Sequence, residues 1–372
     1  MIKVLHCYKT YYPDSFGGIE QVIYQLSEGG NAVGIQSTVF TLSQNPTEKI
    51  EKLDNHYVFR AKTTFDIAST PFSFSAISQF KELAADADLI HYHFPFPFMD
   101  MLHFLAGIKK PSVVSYHSDI VKQKALLRFY TPLMNHFLSR VNRVISASPN
   151  YAESSSVLQQ IKQKVDVIPY GLDKNSYLRN ENERIDYWSD KYPDGFFLFV
   201  GAFRYYKGLH TLIEAAKLST WPIVLIGSGH VEQSLKDQAA ELGVKNIHFI
   251  GALSDADKAA LLKLSTCLVF PSHLRSEAFG ISLLEGAMYS KPLISCEIGT
   301  GTTFINIDGE TGIAIPPSDP IALRKAMDFI WDNPDKAILY GQAAHKRFEN
   351  LFTAETMVNH YADLYRQLLK AD

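Results

Sequence analysis

Short runs of apolar residues recur along the chain, and stretches whose apolar positions return every three or four residues lie between them. In the first half Ile2–Cys7, Ser37–Leu42, Leu89–His93, Ser112–Tyr116, Arg143–Ala147 and Val165–Pro169 read as strands. In the second half Phe196–Val200, Ile223–Ile226, Ile247–Ile250, Cys267–Phe270 and Leu293–Ser295 do the same. Strands apolar on both faces suit parallel sheets covered by helices. The stretch Asp186–Gly195 is polar and reads as turns, so it separates the two series. The pattern predicts an α/β protein of two Rossmann-like domains. Glu20–Glu28 reads as a helix stopped by Gly29-Gly30, and Ala354–Lys370 reads as a closing helix.

One helical segment has a marked charge bias. At 100° per residue through 122–143, Leu126, Leu127, Tyr130, Leu133, Met134, Phe137, Leu138 and Val141 share a face. Lys122, Lys124, Arg128, Arg140 and Arg143 take the other face, and Pro132 is expected to kink or restart the helix. With Lys109 and Lys110, the stretch 101–143 holds seven basic side chains against Asp119 alone. It reads either as a core helix with a solvated basic side or as a contact with an anionic membrane or lipid diphosphate.

Over the 372 residues, 36 Lys+Arg stand against 39 Asp+Glu, a net charge of −3, which argues against a nucleic-acid binder. Hydrophobic residues make up 46%, which excludes a disordered scaffold. Cys7, Cys267 and Cys296 form no CxxC pair, which speaks against a disulfide framework or a cysteine zinc site. No signal-peptide h-region follows Met1 and no apolar run reaches the roughly 18 residues of a spanning helix, so a cytoplasmic protein is expected.

Dinucleotide chemistry has little support. The best glycine fingerprint, Gly227-Ser228-Gly229-His230-Val231-Glu232, has Glu232 where the third glycine belongs, and no P-loop occurs. Asp86–Asp88 and Asp255–Asp257 could be metal-bridging carboxylates but read as structural, the second pair in a helix's first turn. His91 and His93 share one face of a strand, as metal ligands can, but no third ligand is in view.

The informative segment follows the strand Cys267–Phe270. Glu277 and Glu285 stand eight residues apart, with Phe279-Gly280-Ile281 between them. If a helix begins near Gly280, its free N–H groups face an anion or sugar oxygen, and carboxylates accept hydrogen bonds from vicinal hydroxyls. Read blandly, Glu277 is a cap carboxylate and Glu285 a surface charge. Arg204 and Lys207 follow the first strand of the second series, where α/β sheets bind ligands, and suit a diphosphate. Gly17-Gly18 opens a helix as an anion nest, Pro169–Asp173 lies at the domain join, and the strand Ser112–Tyr116 ends in His117-Ser118-Asp119.

This ordered set resembles the retaining glycosyltransferases of the GT-B fold, family 4, over essentially the whole chain. The resemblance implies two domains facing a cleft: 1–172, with 354–372 packing back, for the acceptor, and 173–353 for a nucleotide sugar. It implies Arg204 and Lys207 on the donor diphosphate, Glu277 and the backbone of Phe279, Gly280 and Ile281 on the donor sugar, and Glu285 on the ribose. Gly17 and Gly18 would approach the phosphates, His117 would face the reaction centre, and Ser118 and Asp119 would touch the acceptor. Ala278 replaces a common glycine, and Asp119 is offset from some members. No metal or further cofactor is implied. The first 30 residues are most similar to bacterial O-antigen mannosyltransferases, which implies GDP-mannose as donor and a polyprenyl-diphosphate-linked saccharide as acceptor at the cytoplasmic membrane face. A UDP-sugar donor, a sugar-nucleotide epimerase or phosphorylase, and a non-catalytic sugar-nucleotide sensor are the alternatives.

Overall fold

In the computed structural model the described residues are 1–67, 70–120, 124–178, 184–217 and 219–370. They form two sheets. The first has eight strands: β1 (Ile2–Cys7), β2 (Ile35–Ser43), β3 (Glu51–Leu53), β4 (His56–Lys62), β7 (Leu89–Phe94), β8 (Ser112–Tyr116), β9 (Arg143–Ser146) and β10 (Val165–Val167). A two-stranded ribbon, β5 (Phe65–Ile67) and β6 (Thr70–Phe72), stands apart. The second sheet has six: β11 (Phe197–Val200), β12 (Ile223–Ile226), β13 (Ile247–Gly251), β14 (Cys267–Phe270), β15 (Leu293–Cys296) and β16 (Gly312–Ile315).

Strand order is β10-β9-β8-β7-β1-β2-β4-β3 in the first sheet and β13-β12-β11-β14-β15-β16 in the second. Within these two sheets all pairings are parallel except β3 with β4, and β5 and β6 of the ribbon are antiparallel. The cores of β11, β12 and β14 are buried at every position, which is why they read as unbroken apolar runs. Each sheet reverses its winding once, between β1 and β7 in the first and between β11 and β14 in the second. Open α/β sheets bind ligands beyond the carboxyl ends of the strands at such points.

The chain divides into Met1–Gly171 with Ala354–Asp372, and Leu172–Thr353. The helix Ala354–Lys370 thus belongs to the first unit, where its Tyr361 and Tyr365 hydroxyls meet Ser115 Oγ at 2.7 Å and His91 Nδ1 at 2.7 Å.

Several sequence expectations need correction. Gly29 and Gly30 lie inside the helix Gly18–Gly30; a short 3-10 turn follows, and Gly34 at φ +83° ends it. Gly29 instead makes room for helix packing, since a Cβ there would lie 2.7 Å from Val358 Cγ2. Asp186–Gly195 holds a helix, Ile185–Lys191, anchored by buried Trp188, whose indole N–H donates to Asp257 at 2.9 Å. The helix Lys124–Arg140 runs through Pro132 without restarting. Met134, Phe137 and Leu138 are buried while Arg128 and Arg140 are exposed. Lys122 lies outside the described residues, as do the side chains of Lys124 and Leu126. β4 and β16 escaped the sequence reading because Arg60 interrupts the first and Gly312 opens the second. No helix among the described residues is long and apolar enough to cross a membrane.

Candidate active site

In the second unit the predicted residues converge on the winding reversal between β11 and β14. β11 delivers the loop of Arg204 and Lys207, and β14 delivers Ser272 and Glu277. Lys207 Nζ donates to Glu277 Oε2 at 2.5 Å, and Ser272 Oγ donates to the same oxygen at 3.1 Å. Both charged side chains are only 11% exposed. The ammonium also sits 4.7 Å from the Phe270 ring centre and 5.5 Å from that of Tyr206. Burial pulls the Lys207 pKa down, but Glu277, with Tyr206 and Glu285, outweighs it and holds the group above its ordinary value. Lys207 therefore stays charged. Glu277 is no helix cap: Gly280, at φ +101°, is the N-cap of the helix Ile281–Met288 and makes no side-chain cap bond.

That helix carries Glu285 one turn in. Glu285 is buried rather than a surface charge, and its Oε1 accepts from Tyr177 Oη at 2.8 Å and Lys258 Nζ at 3.1 Å. Glu285 is in turn the main cause of the raised Lys258 pKa. Phe279 is buried and Ile281 half-buried. Arg204 is exposed, with Nη1 3.2 Å from His230 Nδ1, so its guanidinium is within reach of a ligand. The sequence reading missed Ser272, Tyr177 and Lys258; only the fold brings them to the two glutamates. The two Asp triplets are structural. Asp257 takes Ser254, Arg184 and Trp188, while Asp86 and Asp88 both bind Lys3.

In the first unit the corresponding point is the edge of β1 and β7. An open groove of about 740 Å3 lies beyond β1 and β2, lined by Tyr8, Lys9, Thr10, Asp14, Glu20 and Ser43. Gly17 and Gly18 open the adjacent helix, but the chain's own carboxylate occupies that end. A Cβ at Gly17 would overlap Glu20 Oε2, and Thr10 Oγ1 donates to Glu20 Oε1 at 2.8 Å. Burial lowers the Lys9 pKa and Glu20 partly offsets it.

His117 follows β8 and is buried. Its Nε2 lies 3.0 Å from His93 Nδ1 and its Nδ1 2.5 Å from the Tyr170 hydroxyl. Both ring nitrogens are thus committed within the unit. Ser118 is half-buried beside it. Asp119 ties the loop down: Oδ1 accepts from Tyr116 at 3.0 Å and Ser155 at 2.7 Å, and its N–H donates to Tyr151 Oη at 2.6 Å. His6 stands as the third imidazole beside His91 and His93, with one nitrogen of each within 4.8 Å of the others. Those rings already have partners; His91, for example, meets Ser115 Oγ at 2.8 Å and Tyr365 Oη at 2.7 Å.

The histidines make a pH prediction. Burial lowers the pKa of His6 and of His117 to about 3. In the unfolded chain the rings titrate near 6.5, so between about pH 6.5 and 3 the unfolded state binds more protons, and stability falls as pH falls. From pH 7 to 5 each of the two rings is expected to remove about 2 kcal/mol. Urea midpoints at pH 7 and pH 5 check this; equal midpoints would refute it.

Comparison with known proteins follows the same division. Residues 16–176 match the model for Glycosyltransferase Family 4, and residues 186–347 match that for Glycosyl transferases group 1. The chain is 54% identical over 353 residues to D-rhamnosyltransferase WbpZ of Pseudomonas aeruginosa, covering 95% of this chain and 93% of that one. It is 50% identical over 370 residues to O-antigen chain mannosyltransferase C of Escherichia coli, covering 100% of each. In fold it is similar to a sucrose-phosphate synthase from Thermosynechococcus elongatus, with a TM-score of 0.84 at 20% identity and all of both chains covered. Two Rossmann-like units, the ordered motifs and full-length identity to two family members agree: the chain belongs to glycosyltransferase family 4 and has the GT-B fold.

Proposed function

We propose that the protein transfers mannose from GDP-mannose, with retention, to a polyprenyl-diphosphate-linked saccharide in O-antigen or other surface-polysaccharide synthesis. The observation that carries the donor site is the buried Lys207–Glu277 pair at the carboxyl end of the second sheet, with exposed Arg204 beside it. The full-length likeness to an O-antigen chain mannosyltransferase supports mannose as the sugar.

In this reading Arg204, Lys207 and the N–H groups of Phe279, Gly280 and Ile281 stabilise charge developing on the leaving diphosphate, so the reaction needs no metal. Glu277 holds sugar hydroxyls, and Glu285, oriented by Lys258 and Tyr177, holds the ribose. The first unit takes the acceptor, with Ser118 and Asp119 beside His117. Attack comes from the face the diphosphate leaves, and a diphosphate oxygen takes the acceptor proton. A lipid-linked acceptor places the work at the cytoplasmic membrane face. Exposed Phe129, Arg128 and Arg140 on one helix fit that contact.

A second reading has its own support. The 54% identical relative is a D-rhamnosyltransferase, and D-rhamnose is mannose without the 6-hydroxyl. Both readings are tested by thermal shift and then by transfer assay. A ligand at about 100 times its Kd adds about 2.7 kcal/mol of stability. A shift with GDP but not UDP, then transfer from GDP-mannose to a lipid-linked acceptor, is the expected result. Transfer only from nucleotide-linked D-rhamnose would favour the second reading, and a shift with UDP alone would overturn both. Release of nucleotide without acceptor would mark an epimerase.

A further inference from the structure

His117 is the end of a row. Ser37 Oγ lies 3.3 Å from His6 Nε2, His6 Nδ1 lies 3.1 Å from His93 Nε2, and His93 Nδ1 lies 3.0 Å from His117 Nε2. His117 Nδ1 then meets the Tyr170 hydroxyl at 2.5 Å. The row crosses the first sheet sideways, from β2 through β1 and β7 to the end of β8, over four neighbouring strands. Every member is buried.

Geometry couples these rings. Burial keeps His6, His93 and His117 neutral at pH 7. A neutral imidazole has one ring N–H, so each ring donates through one nitrogen and accepts through the other. If His93 donates from Nδ1 to His117, it must accept at Nε2 from His6, and His117 must donate from Nδ1 to Tyr170. The alternative reverses every bond at once. The three rings therefore share one tautomer choice, and none can turn without breaking two hydrogen bonds.

We infer that His93, backed by His6 and Ser37, is a positioning residue for glycosyl transfer, fixing the ring plane and tautomer of His117. This rests on the reading of His117 as a residue of the reaction centre. It also gives His117 a definite character: with both nitrogens committed, it is a rigid neutral wall and not the base that deprotonates the acceptor. Besides His93 and Tyr170, the titratable groups facing His117 are His91 on β7 and Tyr8 after β1, whose ring centre is 6.4 Å away. Tyr151 and Tyr361 face Tyr170 from their own helices.

Two variants of one position separate positioning from structure. Asparagine ends near the place of Nδ1, so His93→Asn keeps a partner for His117 and loses the one for His6. Glutamine ends near the place of Nε2, so His93→Gln does the reverse. His93→Asn is expected to keep kcat within about fivefold of wild type, and His93→Gln to lower it about 30-fold with donor KM unchanged. Histidine ring nitrogen NMR is the second readout. In the wild type the His6, His93 and His117 signals are expected to stay neutral from pH 7.5 to 5. In His93→Gln burial still keeps His117 neutral, but its two ring nitrogens are expected to report a mixture of tautomers where the wild type reports one. Wild-type kcat in His93→Gln, alongside an inactive His117→Ala, would overturn the positioning role alone. Titration of His117 near 6.5 in the wild type would overturn the row, whether or not either variant folds. Full turnover in His117→Ala would overturn the reading of His117 itself, and the role of His93 with it, even with the NMR row intact.

Discussion

Lys207→Ala is expected to lower turnover about a thousandfold, the upper range for removing one preorganised electrostatic donor. The effect has two sources. The ammonium would no longer meet charge developing on the diphosphate. Its loss also leaves Glu277, 8% exposed, as an uncompensated carboxylate close to where the proposed reading puts the anionic leaving group. Breaking a buried pair from one side costs about 3 kcal/mol, so the melting temperature should fall too. A double variant separates the causes: Lys207→Ala with Glu277→Gln should recover most of the stability and none of the turnover. Lys207→Arg should not rescue, because a planar fork does not fit a cage built from the Glu277 and Ser272 oxygens and the Phe270 and Tyr206 rings. Initial rates and melting curves on the four proteins decide it. Turnover within tenfold of wild type in Lys207→Ala would remove Lys207 from the diphosphate.

The legibility of this chain depended on how local each signal was. Strands such as Ile223–Ile226 and Cys267–Phe270 were readable to the residue because burial on both faces leaves an unbroken apolar run. Gly29 was misread because its reason lies more than 300 positions away, in Val358 of the closing helix. Asp186–Gly195 was misread because Trp188, not periodicity, anchors its helix. The same holds at the site. Spacing singled out Glu277 and Glu285 as candidates, and position after a strand singled out Arg204, Lys207 and His117. Spacing cannot show which side chains hold them. Lys258 and Tyr177 on Glu285, and His6 and His93 behind His117, come from separate strands and helices whose neighbours only the sheet order fixes. His117 shows the difference best. Its place after a strand puts it at the carboxyl end of the sheet, but only the fold shows that both of its nitrogens are spent on His93 and Tyr170.

Gly208→Ala is expected to lower turnover about a hundredfold, without touching a charge. Gly208 sits at φ +72° as N-cap of the helix Leu209–Ala216, directly after Lys207. A Cβ there would overlap the Pro271 carbonyl oxygen and come within 2.9 Å of its carbon. Both are backbone atoms, which cannot swing aside as a flexible side chain can. The contact is the seam along which the Lys207 loop docks on the segment after β14; the His273 N–H donates to Tyr206 O across it at 2.9 Å. Opening the seam by even one ångström separates Lys207 from Glu277, and misplacement on that scale can cost about a hundredfold in rate. Left-handed strain adds about 1 kcal/mol and overpacking about 2 kcal/mol more. Gly243→Ala is the matched control. Gly243 has φ +69°, but nothing lies within 4 Å of its Cβ position, so it carries the strain without the clash. It should lose about 1 kcal/mol in a urea melt and keep its turnover. If Gly208→Ala melted and turned over like Gly243→Ala, the docking seam would not be what holds Lys207 against Glu277. The Lys207–Glu277 pair would then have to be maintained by its own attraction, the Ser272 hydroxyl and the Phe270 and Tyr206 rings.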